Sequence, residues 1–183
     1  MVHLTRIYTK TGDKGFSSLG DGSRLEKDDP IFFALGAVDE ANAAIGVAST
    51  FVKESEVLET LTNIQNQLFD LGADLSTPGN EELKINSGYI DYLEEEIDKF
   101  LAVQEPLTSF ILPAGDSASA HMHLARTVVR RAELSLWTLM NYYPDTNVLL
   151  AIYINRLSDL LFVLARHLNR EKGDVLWVPR KNR

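Results

Sequence analysis

The chain has 183 residues, 45% hydrophobic and 24% charged, with a formal net charge of −8. That length and balance fit a soluble globular protein with room for a proper core, and the negative charge argues against nucleic acid as a general partner. Cysteine is absent, which excludes a disulfide framework, a thiolate metal site and a cysteine nucleophile.

Residues 1–28 are polar and glycine-rich, anchored only by Ile7-Tyr8 and Phe16, with a short extended piece at 4–8. Within them lies Thr9-Lys10-Thr11-Gly12-Asp13-Lys14-Gly15, followed by Ser17 and Ser18. Such a segment offers backbone N–H groups, ammonium groups and hydroxyls to one anion. The G-x-x-x-x-G-K-S/T spacing of a P-loop is missing, and no βαβ unit surrounds it. On composition the segment fits a phosphate cradle and an ordinary polar turn at a frayed terminus equally well. Residues 1–6 show neither the apolar run of a signal peptide nor a transit-peptide pattern. No apolar run approaches the ~18 residues that span a bilayer. The expectation is a cytoplasmic protein with no membrane partner.

Asp29-Pro30 opens the first helix with a cap followed by proline at its first position, and the helix is expected over 30–52. Phe33, Ala37, Ala41, Ala44 and Ala48 recur at helical steps, while Gly36, Ala43 and Gly46 admit a close neighbour. A second helix over 55–75 carries the stripe Leu58, Leu61, Ile64, Leu68, Leu71 and Leu75, and Ser76-Thr77-Pro78-Gly79-Asn80 ends it. A third starts near Ser87 with Ile90, Leu93, Ile97 and Phe100, its Glu94-Glu95-Glu96 reading as a solvated face. After a break at 104–116, a fourth helix spans 117–142 and a fifth 146–169. The predicted fold is all-α: a five-helix antiparallel bundle of one domain at 29–169, preceded by the 1–28 segment and followed by a tail at 170–183.

On the fourth helix Arg126, Arg130 and Glu133 project within about 60° of one another, with Arg131 one step round. Guanidinium groups at i, i+4 repel unless an anion sits between them, so the stripe suits phosphate with a carboxylate orienting one fork or holding a metal. A solvated face with one Glu–Arg pair has the same spacing. On the fifth helix Asn155 and Asp159 are neighbours, either a nucleoside contact or a water-bridged polar pair. Asp39 sits amid Gly36-Ala37-Val38, where a charge needs a partner, and Arg126 is the candidate, within or between subunits. His121 and His123 are poorly spaced for a metal, and the Glu-x-x-His pattern of di-iron bundles does not occur.

Five blocks in order carry a resemblance: Thr9 to Gly15, Val38-Asp39-Glu40, Phe110-Ile111-Leu112-Pro113, Arg126-x3-Arg130-Arg131-Ala132-Glu133, and Asn155-Arg156-Leu157-Ser158-Asp159. Together they resemble the signature blocks of PduO-type ATP:cob(I)alamin adenosyltransferases over nearly the whole chain. The resemblance implies a homotrimer of five-helix bundles with ferritin-like packing, ATP held between neighbouring subunits and a corrinoid beside it. It implies attack of the reduced cobalt on the 5′ carbon of ATP, giving adenosylcobalamin and triphosphate, with Mg²⁺ on the phosphates. By position, Thr9, Lys10, Thr11, Gly12, Asp13, Gly15, Ser17, Ser18 and Lys27 would wrap the triphosphate. Arg130 and Glu133 would contact the nucleotide and its metal, Arg131 would support them, and Asn155 would bind the nucleoside. Asp39 and Arg126 would form a salt bridge across the subunit boundary, and Phe110 would wall the corrinoid and keep its lower axial ligand off the cobalt. A corrin reductase and an adenosylcobalamin-dependent mutase would be partners.

Transfer of an alkyl group to a cobalt nucleophile needs no general base, and the sequence offers no convincing triad; alignment and charge stabilisation of the departing triphosphate are what it needs. A non-catalytic carrier of ATP or adenosylcobalamin would show the same loop and stripe. The family's small pair after Leu-Pro is here Ala114-Gly115, so Ala114 is expected to shift the turn that presents Phe110, with Asp116 capping the fourth helix.

Overall fold

The structure, a computed structural model, describes residues 7–180; most of the extended piece expected at 4–8 lies outside them. An antiparallel hairpin of β1 (Phe16–Ser18) and β2 (Arg24–Glu26) precedes five helices, α1 (Pro30–Ser49), α2 (Ser55–Ser76), α3 (Ser87–Leu101), α4 (Ser117–Tyr142) and α5 (Leu149–Leu168). The all-α, five-helix expectation matches what forms. The hairpin was not foreseen, because strands of three residues are too short to show alternation. Its turn is set by Asp21, whose carboxylate accepts from the Ser23 N–H at 2.8 Å and from its hydroxyl at 2.6 Å.

Helix boundaries follow local chemistry. Asp29 caps α1 by accepting from the Ile31 N–H at 3.0 Å, with proline behind it. The helix stops at Ser49 rather than 52, and tighter turns carry the chain through Val52. Helix α5 begins at Leu149 rather than 146, because the Asn147 side chain accepts from the Leu149 N–H at 3.1 Å and donates to Asp74 and the Ile85 carbonyl. Glu96 is not merely solvated. It accepts from Thr60 of α2 at 2.6 Å and pairs with Lys99.

The helices alternate in direction. Helix α4 packs most extensively on α5 and α1, α2 packs on α1, and α3 on α5. Side-chain bonds from Thr60 to Glu96 and from Tyr89 to Asp70 link α2 to α3. Since α3 and α5 share a direction, these two neighbours run parallel. Leu61, Ile64, Leu93, Leu136, Leu150, Leu157 and Leu161 are fully buried, each worth about 1.5–3 kcal/mol by apolar transfer. Helix α1 is, by length and composition, apolar enough to cross a membrane, with mean hydropathy 1.5, although its apolar run is interrupted. It carries Asp39 and Glu40 at mid-length and packs between α2 and α4.

This topology gives the bundle two unlike ends. One holds the hairpin, whose buried Leu19 and adjacent Gly20 dock on the last turn of α2; the Gly20 N–H donates to the Ser76 carbonyl at 2.8 Å. A Cβ on Gly20 would lie 2.7 Å from Thr77, so only glycine permits this seat. The other end holds the 102–116 connection and the tail, joined where the Leu112 N–H donates to the Val175 carbonyl and the Trp177 N–H to the Phe110 carbonyl, both at 2.7 Å. Asn169, only 2% exposed, ties this end together by accepting from the Asp116 N–H at 3.0 Å and donating to the Gly173 carbonyl at 2.6 Å. The glycine that the turn requires is Gly115, with φ of 121° and a Cβ position 2.5 Å from Asn169. Ala114 is accommodated beside it. Asp116 occupies the N-cap position of α4 but makes no side-chain cap bond, because its carboxylate is drawn to Lys172 at 2.5 Å.

Replacing Asn169 with Ala strands the Asp116 N–H and Gly173 carbonyl, and Gly115→Ala forces a side chain into the same amide. Each is expected to lower unfolding free energy by about 1–3 kcal/mol in urea titrations. A change within error for both would show that this tie does not hold the Phe110 turn.

Candidate functional site

The 9–15 loop folds back on the hairpin. Gly15 has φ of 82° and its N–H bonds the Gly12 carbonyl at 3.2 Å, while its own carbonyl accepts from the Lys27 N–H at 2.8 Å. Lys10 is left-handed at φ of 62°, and the Thr9 and Thr11 hydroxyls are 2.9 Å apart. Lys27 Nζ lies 3.1 Å from where a Gly12 Cβ would stand, so glycine there lets the ammonium close over the loop. Arg24 Nη2 donates to the Thr11 carbonyl at 2.9 Å. Asp13 is exposed on the turn. Ser17 and Ser18 are strand residues rather than loop residues, so their side chains face opposite sides: Ser17 pairs with Leu25, Ser18 with Arg24.

On α4 the stripe is a physical cluster. Glu133, half-buried, accepts from Asn155 of α5 at 3.1 Å and from Trp137 at 3.4 Å. Arg130 is exposed beside it, and among the described residues neither Arg126 nor Arg130 has an ion-pair partner. Arg131 turns away to Glu40 of α1 at 2.5 Å. Asp159 is drawn to Arg156 at 3.1 Å rather than to Asn155, and Arg156 also bonds Glu94.

Arg126 reaches toward the far end, where a cavity of about 790 Å³ is lined by Leu107, Phe110, Ile111, His123, Arg126 and Phe162. Among the described residues the Arg126 Nε and the His123 Nδ1 are buried without hydrogen-bond partners. Burial, and then the charge of Arg130, lowers the pKa of Arg126; burial, and then Arg126, lowers that of His123, which is held neutral. Phe110 is 79% exposed and meets Trp177 edge-on at 6.1 Å. Sequence reasoning weighed His123 only as a metal ligand and did not place Phe162 or Trp177 in the site. His123 stands three residues before Arg126 on the same face, a signal the spacing did contain; Trp177 is brought in only by the tail pairing with 110–112.

Asp39 is exposed, not embedded, and lines a separate groove of about 490 Å³ between α1 and α2 with Phe32, Leu35, Asn42 and Phe69. Among the described residues it makes no ion pair with Arg126 within the chain. The loop and the Phe110 cavity lie at opposite ends of α4, which at 26 residues is about 39 Å long. The stripe stands between them.

Residues 7–168 match the family model described as cobalamin adenosyltransferase. The chain is 51% identical over 185 residues to a corrinoid adenosyltransferase of Mycobacterium tuberculosis, covering 97% of this chain and 95% of that protein. It is 40% identical over 188 residues to the corrinoid adenosyltransferase MMAB of Homo sapiens, covering 98% and 75% respectively. Its fold is similar to that of a variant PduO-type ATP:corrinoid adenosyltransferase from Lactobacillus reuteri complexed with cobalamin and ATP. The TM-score is 0.86 at 36% identity, over 94% of this chain and 99% of that one. The chain belongs to the cobalamin adenosyltransferase family.

Proposed function

We propose that this protein transfers the 5′-deoxyadenosyl group of ATP to the cobalt of cob(I)alamin, giving adenosylcobalamin and inorganic triphosphate. The observation that carries this reading is the Glu133–Asn155 bond between α4 and α5, set beside two guanidinium groups that lack ion-pair partners among the described residues. It supplies a carboxylate, an amide and a cationic surface at one spot, a chemistry that fits a nucleoside triphosphate.

The electron pair of the cobalt attacks C5′ while the C5′–O bond breaks and its pair leaves with the triphosphate. No proton moves, so the step requires no general base. Arg130 and the loop cations Lys10 and Lys27 counter the charge gathering on the leaving group. Thr9, Thr11, Gly12, Asp13 and Gly15 enclose the phosphates with Ser18 on the Arg24 face of the hairpin, Ser17 lying on the Leu25 face, and Asn155 orients the nucleoside. Phe110, with Trp177 against it, gives the corrinoid a dry, non-ligating wall. Mg²⁺ would neutralise phosphate charge when bound. Among the described residues no cluster of three or more metal-ligating groups exists, so the fit is to an ion carried on the phosphates with Glu133 as a lone oxygen ligand.

The active unit is proposed to be a homotrimer. One chain keeps its loop and its corrinoid cavity at opposite ends of the bundle, whereas the reaction needs C5′ against cobalt. A loop from one subunit closing over the stripe of the next meets that need. The same juxtaposition pairs exposed Asp39 of one subunit with the buried, unpartnered Nε of Arg126 in its neighbour. A corrin reductase would supply the low-valent cobalt and an adenosylcobalamin-dependent mutase would take the product, in the reducing cytoplasm.

Anaerobic incubation with ATP and reduced cobalamin is expected to give the cobalt–carbon spectrum and inorganic triphosphate. No cobalt–carbon product, or ADP in its place, overturns the assignment. Arg130→Ala should lower kcat/KM for ATP by about 100-fold or more at unchanged Tm, by analogy with loss of one charge-stabilising donor; near-normal turnover removes Arg130 from the site. Sedimentation should report a trimer, and the charge swap Asp39→Arg with Arg126→Asp should recover part of the activity that each single change abolishes. A monomer with full activity, or no recovery in the swap, counts against the shared site.

A further inference from the structure

Arg24 stands on β2 opposite Ser18, and cross-strand partners project to the same face about 5 Å apart. From there Nη2 donates to the Thr11 carbonyl at 2.9 Å, tying loop to hairpin across a separation of 13 residues. No ion pair occupies the guanidinium among the described residues, and four of its five donors remain beyond that bond. The loop it holds includes Lys10 in the left-handed region at φ of 62°, a conformation costly for a residue with a Cβ.

We propose that Arg24 is a positioning residue for the triphosphate of the nucleotide, an inference that rests on reading the 9–15 loop as the ATP site. A trans peptide directs its C=O and N–H to opposite sides, so the bond to Thr11 also fixes the direction of the Gly12 N–H. Lys27 approaches the same glycine from its own side, its ammonium 3.1 Å from where a Cβ would stand. The hairpin beneath is seated on α2 through Leu19 and Gly20, so the hold is referred to the bundle rather than to a free strand. A neutral side chain could tether the loop equally well. A guanidinium adds positive charge to the loop that carries Lys10 and that Lys27 approaches, in a chain whose net charge is −8, which suits a loop that receives an anion.

The test varies ATP and corrinoid independently in steady state with Arg24→Ala, Arg24→Lys and Lys27→Ala, and measures inhibition by inorganic triphosphate and by adenosine. Arg24→Ala should raise KM for ATP and the triphosphate inhibition constant about tenfold or more, the scale of one charge-assisted contact. The corrinoid KM, adenosine inhibition and Tm should stay near their original values, and Arg24→Lys should recover part of the loss. An unchanged KM for ATP in both Arg24 variants, with Lys27→Ala impaired, overturns the role of Arg24 alone. An equal rise in every constant with a fallen Tm assigns Arg24 to folding and also overturns it. An original protein that binds neither ATP nor triphosphate removes the reading of the loop, and the inference with it.

Discussion

Helix α4 buries Met122, Ala125, Val129, Ala132, Leu136 and Leu139 between α1 and α5, and the register of that seam dictates where every charged group of the site stands. At 100° per residue, fixing Leu136 in the core fixes Glu133 and Arg130 on the rim. A slip of one position would expose leucines and push guanidinium groups inward, and each fully buried leucine is worth about 1.5–3 kcal/mol. Site precision is therefore inherited from core packing. Fully buried Ala125 and Ala132 keep α4 slim within that seam, and Glu133 on its rim meets Asn155 of α5 at 3.1 Å.

The same seam creates a problem that one chain does not solve. It orients Arg126 toward the Phe110 cavity, where its Nε is buried without a partner, and it leaves Asp39 exposed on another face. Burying one end of a cation without its anion is costly. Exposed Phe33, Phe69, Leu134 and Trp137 repeat the message for apolar surface. In the proposed trimer a neighbouring copy would answer the unpaired charge, the bare aromatic groups and the separation of loop and cavity toward opposite ends of α4.

Long, strongly periodic segments were legible in the sequence: the leucine stripe of α2 and the Asp29-Pro30 start of α1 translate directly into structure. The Arg126–Arg130–Glu133 stripe was legible too, because helical spacing alone places those residues on one face. What escaped was set by contacts distant in sequence. The hairpin is only three residues a side and depends on its seat against Ser76 and Thr77. Arg131 was grouped with the stripe but answers to Glu40, and Asp159 to Arg156, choices that no spacing rule makes. The turn after Leu112-Pro113 looked sensitive to Ala114, yet the positive φ and the tight fit against Asn169 fall on Gly115.

The loop at 9–15 differs from a P-loop in a way that follows from where the proposed reaction breaks its bond. Phosphoryl transfer must leave the terminal phosphate open to a nucleophile, and a helix N-terminus serves by cradling the chain from one side. Displacement at C5′ expels all three phosphates together, so no phosphate needs an open face and enclosure does no harm. A loop borne on a hairpin, fastened by Arg24 to its carbonyl and by Lys27 across its glycine, can surround the chain without a helix dipole behind it. The positive charge then comes from side chains that can move away once the triphosphate is made. That also accounts for a net-acidic protein concentrating lysine and arginine in so short a segment.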